Sequence, residues 1–324
     1  MKTKVVYILV SNHKDIYLEQ AFVSISSLRY QMGKDVEICI LMDTPSHDGL
    51  DNKRKKMLSE VDEIISIDLP EDWTAQNRSR MLKTSARKYI KGDFLFIDCD
   101  TIVMQPLTDI DNISADISAC YDSHSLFPYN PYREMCLRDC SKLGINIKDE
   151  EVYYNSGVIY VKDSPVAKKF YEKWNKNWLE GREKGVNMDQ PAFNKTNIEL
   201  GYPIQSLNDI WNCEFIHGIR FLKDAKILHY LCTNTISKKN QASFLLRDKD
   251  VLMEIKKTGV IPESVRMCFD DPFKGIPPLT KIIAGEELYM QRTPLYQALH
   301  FRYDTKLFNT LNNIIKYLKR ILGK

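Results

Sequence analysis

The stretch that most constrains the fold is Gly92–Pro106, GDFLFIDCDTIVMQP. Phe94-Leu95-Phe96-Ile97 is too short and too rich in β-formers for a helix, and its apolar side chains do not alternate with polar ones. It reads as a strand covered on both faces, which belongs inside a mostly parallel sheet flanked by helices. Asp98 then stands at the carboxyl end of that strand, where open α/β sheets bind their ligands. Asp98 and Asp100, two positions apart where strand bends into loop, can approach one hard cation. Without a cation the two carboxylates must be solvated or repel each other. Asp-x-Asp recurs at Asp109/Asp111 and Asp248/Asp250, but in polar sequence that reads as solvated turns.

The surrounding pattern supports a doubly wound sheet. Val5–Val10 reads as a first strand ending in Ser11, and Tyr17–Tyr30 has apolar residues at helical spacing. Val36–Met42 is a second strand ending at Asp43, Leu50–Glu63 a charged surface helix, and Glu63–Leu69 a third strand. This β-α-β-α-β order implies parallel pairing through right-handed crossovers. Asn77–Lys91 is a basic helix leading into the central strand. Its Arg78, Arg80 and Lys83 sit near the start, where guanidinium forks suit phosphate oxygens. Tyr121–Ile147 reads as a long loop-rich connection. Val152–Lys162 is a strand with Asn155-Ser156-Gly157 inside it, and a strand glycine marks close approach of backbone or ligand. Pro165–Trp178 is an amphipathic helix. Asp189 and Gln190 open another, where a carboxylate suits the helix dipole. Lys226–Cys232 is a short strand with His229 in its middle, and such a histidine taken alone is a core residue. Beyond Asp250 the pattern becomes irregular.

Composition bounds the function classes. With 324 residues, 44% hydrophobic content and a net charge of +3, the chain is an ordinary globular protein, not a polyanion binder by overall charge. Its eight cysteines form no C-x-x-C pair and lie largely in apolar sequence, which fits reduced thiols and neither a zinc nor a disulfide framework. The apolar run at the start, Val5–Val10, is short for a signal peptide, and no stretch approaches a membrane span. The expected location is cytoplasmic.

Taken together, the order of pieces resembles the retaining glycosyltransferases of family 8 and their relatives on the GT-A fold. The matching features are the basic helix, the strand ending in Asp98-Cys99-Asp100, then Tyr154-Asn155-Ser156-Gly157-Val158, then Asp189-Gln190, then His229-Tyr230. The resemblance implies a GT-A nucleotide-diphospho-sugar transferase fold and a metal-dependent transfer from a nucleotide-diphosphate sugar, of the UDP-sugar type, with retention at the anomeric carbon. The acceptor would be a glycan or a lipid-linked sugar. Asp98, Asp100 and His229 would ligate Mn²⁺ or Mg²⁺, the imidazole favouring Mn²⁺. Ser11, Arg80, Lys83, Asp98 and Lys238 would contact the nucleotide diphosphate, and Asn155, Asp189 and Gln190 would line the sugar pocket as catalytic residues. After the histidine, HYLCTNTISKK lacks the glycine that the family places before its lysine.

Two other enzyme classes end a strand in Asp-x-Asp or bind sugar nucleotides. A haloacid-dehalogenase-type phosphohydrolase would carry its motif near the chain start, whereas α/β sequence precedes Asp98 here. A sugar-nucleotide pyrophosphorylase would need a glycine-rich basic loop after its first strand, and Ser11–Asp15 has no glycine. The expected organisation is a catalytic domain over residues 1–245, an irregular segment over 246–301 and a basic amphipathic helix over 302–324. That tail holds six Lys/Arg against one Asp, with Leu307, Leu311, Ile314, Ile315, Leu318 and Leu322 on one face. Two readings stand: it lies on an anionic membrane surface and holds the enzyme peripherally on the inner face of the membrane, or it docks on the domain with its lysines solvated.

Overall fold

The computed structural model describes residues 1–70, 72–231, 245–276, 283, 286–291, 293–303 and 305–323. The chain forms two compact units, Met1–Pro277 and Pro278–Lys324.

The first unit is built on a seven-stranded sheet. Its strands are β1 (Lys4–Leu9), β2 (Ile38–Asp43), β3 (Glu63–Ile67), β4 (Phe94–Ile97), β6 (Ile117–Tyr121), β7 (Tyr154–Val161) and β8 (Ile204–Ser206), in the spatial order β3-β2-β1-β4-β7-β6-β8. β7 runs against both its neighbours; the other pairings are parallel. Two further strands, β5 (Thr101–Val103) and β9 (Ile227–His229), form a separate antiparallel ribbon. β9 therefore lies outside the main sheet.

The double burial read from the central strand is borne out, since all four residues of β4 are buried. Leu95 and Ile97 face a core that includes helix Tyr17–Met32 and the ribbon, while Phe94 and Phe96 face helices Ala75–Tyr89 and Pro165–Glu183. The sheet order turns back between β1 and β4, so the carboxyl ends of these two strands flank a crevice.

Several elements differ from expectation. The helix expected over Leu50–Glu63 spans only Asn52–Met57; Asp51 caps its start, and Asp62 instead accepts the Ile38 N–H at 2.8 Å at the sheet edge. Tyr121–Ile147 is not simply a loop. Arg133–Lys142 is a helix whose Cys136 and Cys140 bury beside Phe127, Ile147 and Tyr153 in a small core of their own. Cysteine is a weak apolar signal, so the helical spacing was masked. Beyond Asp250 the chain is also more regular than expected. Lys249–Thr258 is a helix capped by Asp248 and closed by Gly259 in the left-handed region, with Leu252 and Ile255 in the main core. Gln20 and Gln31 of the first long helix donate to the carbonyls of Leu246 and Phe269, at 3.3 and 2.7 Å. The first compact unit thus runs well past residue 245.

The two other Asp-x-Asp pairs, expected to be solvated turns, have structural roles instead, Asp248 as the cap of helix Lys249–Thr258. Asp111 accepts the backbone N–H groups of Lys2 and Thr3 at 2.8 and 2.9 Å, and Asp109 pairs with Lys226 at 2.8 Å. The second unit contains helices Glu286–Gln291, Pro294–Phe301 and Lys306–Ile321 among its described residues. Leu307, Leu311, Ile314, Ile315, Leu318 and Leu322 of the tail are all exposed.

Candidate active site

The site is assembled by backbone register. Asp98 prolongs β4 by donating its N–H to the Gly157 carbonyl at 2.8 Å, one rung past the Ile97–Val158 pair. The chain then turns, closed by the Thr101 hydroxyl on the Asp98 carbonyl at 2.9 Å, and enters β5. Ribbon pairing sets Thr101 opposite His229, and the Tyr230 N–H donates to the Asp100 carbonyl at 3.0 Å. A histidine far away in sequence is so delivered to the carboxylate pair. His229 Nε2 lies 3.4 Å from Asp100 Oδ1. One ligand atom from each of Asp98, Asp100 and His229 falls within 4.8 Å of the others.

Gly157 makes this approach possible. A Cβ there would stand 2.4 Å from His229 Cε1, 2.9 Å from Asn155 Oδ1 and 3.0 Å from Asp98 Oδ2. The strand glycine marks a close approach, as its sequence context suggested.

A second cluster adjoins the first. Helix Ala75–Tyr89 begins under a Thr74 cap and carries Arg80 and Lys83 inward. Lys83 is almost fully buried. Its Nζ lies 3.3 Å from Asp98 Oδ1 and 3.3 Å from Asp189 Oδ2, and 4.7 Å above the Phe96 ring. Arg80 Nε pairs with Asp189 Oδ1 at 2.9 Å. Asp189 occupies the cap position of helix Gln190–Glu199, but its side chain makes no cap hydrogen bond. It accepts the Ser156 hydroxyl at 2.8 Å and faces the two cations instead. Arg78, by contrast, turns to the fully buried Asp43.

Titration follows from this geometry. The enclosed position of Asp98 pushes its pKa up; Lys83 pulls the other way, and Asp100 reinforces the rise. Burial opposes a charge on His229, but the Asp100 carboxylate outweighs it and raises the pKa. Both shifts mark a place where added positive charge is favoured. Asp189 behaves oppositely: burial would raise it, but Lys83 and Arg80 bring it down to about 2.

The model of a family described as nucleotide-diphospho-sugar transferase matches residues 76–244, slightly over half of the chain. The chain belongs to the nucleotide-diphospho-sugar transferase family. It is a glycosyltransferase, and its sheet has the GT-A fold. Among solved structures it is similar to the galactosyltransferase LgtC in complex with donor and acceptor sugar analogues. That match has 14% identity and a TM-score of 0.51, and covers 82% of this chain and 99% of that one. An active-site mutant of LgtC matches at 13% identity and a TM-score of 0.52, with 82% and 99% covered. Mouse xyloside xylosyltransferase 1 matches at 15% identity and a TM-score of 0.49, covering 73% and 100%. No curated protein sequence matches the chain. Family membership sets aside the phosphohydrolase and pyrophosphorylase alternatives.

Of the sequence-selected residues, the transferase fold brings Arg80, Lys83, Asp98, Asp100, Asn155, Asp189, Gln190 and His229 into one hydrogen-bonded or ion-paired neighbourhood. Ser11 is buried just beyond β1, where its hydroxyl donates to Asp15 at 2.6 Å and accepts from Arg54 at 2.9 Å. Lys238 lies outside the described residues.

Sequence reasoning missed Asp122, Asn212 and Glu214. Asp122 Oδ1 accepts both Asn155 Nδ2 and Gln190 Nε2 at 3.0 Å, and Oδ2 accepts Asn130 Nδ2 at 2.8 Å. The signal was available, because Asp122 follows β6 as Asp98 follows β4. Ser123 and His124, directly after it, hold left-handed backbone at φ 57° and 52°, an unfavourable conformation common at functional sites. Glu214 is buried, and its pKa is pushed well up by burial and by Asp122. No local pattern marked it or Asn212.

The Asp189 cluster predicts an acid-stability slope. With a folded pKa of about 2 and an unfolded value near 3.8, the ionised group adds about 2 kcal/mol, present above pH ~4 and lost as pH falls towards ~2. Denaturant melts of the wild type should lose stability across that window. Asp189→Asn should be less stable at neutral pH and lose less across that window, so equal slopes would count against the assignment.

Proposed function

We propose that the chain transfers a sugar from a UDP-type nucleotide sugar to a glycan or lipid-linked acceptor, with retention at the anomeric carbon and with Mn²⁺ or Mg²⁺ as cofactor. The observation that carries this reading is the convergence of Asp98, Asp100 and His229 at the carboxyl end of β4, beside the Asp189–Gln190–Asn155 wall. Two carboxylates and an imidazole form a donor set suited to a divalent cation, with Mn²⁺ favoured by the nitrogen. Burial and the neighbouring Asp100 raise Asp98, and Asp100 raises His229; a bound cation would offset both. When bound, the cation would neutralise the charge that develops on the departing diphosphate.

The protein's own groups do the rest. Arg80 and Lys83 supply positive charge next to the diphosphate, and both stay anchored on Asp189. Asn155, Asp189 and Gln190 form a polar wall for the sugar ring, organised around Asp122. Ser11 and Lys238 complete the nucleotide contacts in this reading. Incubating the protein with a panel of nucleotide sugars and Mn²⁺, and scoring release of nucleoside diphosphate, tests it. Chelator-sensitive release from one donor is expected; chelator-insensitive release would refute the cation role. His229→Ala should weaken Mn²⁺ and nucleoside diphosphate binding together. Lower thermal stability with unchanged Mn²⁺ affinity would return His229 to a core role.

A membrane-borne acceptor is suggested by the tail. Helix Lys306–Ile321 buries none of its described residues; Leu307, Ile315 and Leu318 lie on one face, with Lys316, Lys319 and Arg320 away from it. A basic amphipathic helix of this kind suits an anionic headgroup boundary, each cation adding about 1 kcal/mol. No helix among the described residues is long and apolar enough to cross a membrane. Co-sedimentation with anionic vesicles should fall sharply on truncation after residue 301. Equal binding by both proteins, or no preference for anionic lipid, would refute membrane attachment.

A further inference from the structure

Asn212 lies on no motif, yet it is fully buried in the middle of the site. Its Oδ1 stands 2.9 Å from His229 Nδ1, and its Nδ2 stands 3.0 Å from Asn155 Oδ1 and 3.4 Å from Glu214 Oε1. Each amide in this chain of contacts has its orientation dictated by a neighbour that can only donate or only accept. The Gly157 backbone N–H, 2.7 Å from Asn155, can only donate, so the atom facing it is the Asn155 oxygen. At the other end of the same amide, Asp122 Oδ1 at 3.0 Å accepts, which requires the Asn155 nitrogen. A turned Asn155 would set donor against donor and acceptor against acceptor.

With the Asn155 oxygen fixed, Asn212 must present its nitrogen there, and its oxygen is left facing His229. An oxygen facing Nδ1 at hydrogen-bond distance requires a proton on Nδ1. The lone pair of the neutral ring is therefore on Nε2, the atom directed at Asp100 at 3.4 Å. Thus the backbone of β7 sets the tautomer of a histidine on β9 through two amides.

We propose that Asn212 is a positioning residue, which holds His229 as the Nδ1–H tautomer with Nε2 free for the cation and ties that ring to the sugar-pocket residue Asn155. This rests on the cation role given to His229 above. Groups that orient a ligating histidine typically govern metal affinity by 10–100-fold.

Two variants and one spectroscopic measurement test it. Calorimetric titration of Mn²⁺ in the presence of UDP should show Asn212→Leu binding 10–100-fold more weakly than wild type. Asn212→Asp keeps an acceptor for Nδ1–H but faces Asn155 Oδ1 with a second oxygen. It should bind Mn²⁺ within about threefold of wild type while the donor KM rises about tenfold. Melting curves without Mn²⁺ identify the folded fraction. In nitrogen-15 spectra of wild type with Mg²⁺ and UDP, His229 should carry its proton on Nδ1. The proposal is overturned if folded Asn212→Leu binds Mn²⁺ normally, if Asn212→Asp loses as much Mn²⁺ affinity as Asn212→Leu, or if the proton is on Nε2. Wild type that binds no Mn²⁺ would overturn the cation reading and this proposal together. Binding that is sensitive to His229→Ala but not to Asn212→Leu would overturn this proposal alone.

Discussion

Asp98→Asn and Asp100→Asn are each expected to reduce cation-dependent turnover by about a thousandfold, a loss of about 4 kcal/mol of transition-state stabilisation. The change is nearly isosteric, so its effect is one of charge. An amide oxygen remains, but one of two anionic ligands is gone, and with it the attraction that holds a hard cation. The fold should survive. Asp98 contributes to the sheet through its backbone N–H, which the variant retains, and Lys83 keeps Asp189 as a partner at 3.3 Å. Removing one of two adjacent carboxylates also relieves repulsion, so melting temperatures without cation should be unchanged or slightly higher. Measuring kcat across a Mn²⁺ titration, alongside the melt, separates lost chemistry from lost structure. Near-normal turnover in either variant would sink the cation assignment.

What the sequence made legible was whatever a single strand or helix displays on its own. The unalternating Phe94–Ile97 run announced a strand with two covered faces, and Asp98 could be placed at its end because side-chain direction and chain direction are both local properties. Arg80 and Lys83 were legible as a basic pair near a helix start. Their partner was not: Asp189 reads locally as a helix-start carboxylate, and only tertiary packing reveals that it faces two cations and leaves the helix uncapped. His229 shows the same limit. Its run is that of a buried strand, and the pairing of β9 with β5, not with the main sheet, is what brings it to Asp100. Asn212 and Glu214 were invisible because their significance lies wholly in long-range hydrogen bonds. The helix Arg133–Lys142 was missed for a different reason, since its buried face is carried by two cysteines amid charged residues.

Gly157→Ala, a change of one methyl group, is expected to disable the site as thoroughly as removing a ligand. The new Cβ would lie 2.4 Å from His229 Cε1, far inside van der Waals contact, with Asn155 Oδ1 and Asp98 Oδ2 at 2.9 and 3.0 Å. Something must move, and the strand cannot easily do so. β7 is buried along its whole length and hydrogen-bonded to β4 on one side and β6 on the other, and the Gly157 carbonyl itself accepts Asp98 N–H. Nor is Asn155 free to turn away, because its oxygen accepts Gly157 N–H and its nitrogen holds Asp122. Displacement therefore falls on the imidazole, which must swing off Asn212 and away from Asp100. Overpacking of this sort costs about 1–3 kcal/mol of stability. The functional loss should be larger, because a ligand displaced by an ångström no longer shares a cation with the carboxylates, and turnover should fall at least about a hundredfold. Calorimetric Mn²⁺ binding should weaken in the folded variant while helix content by circular dichroism is retained. A variant that melts lower but binds Mn²⁺ as wild type does would mean that the strand, and not His229, had given way.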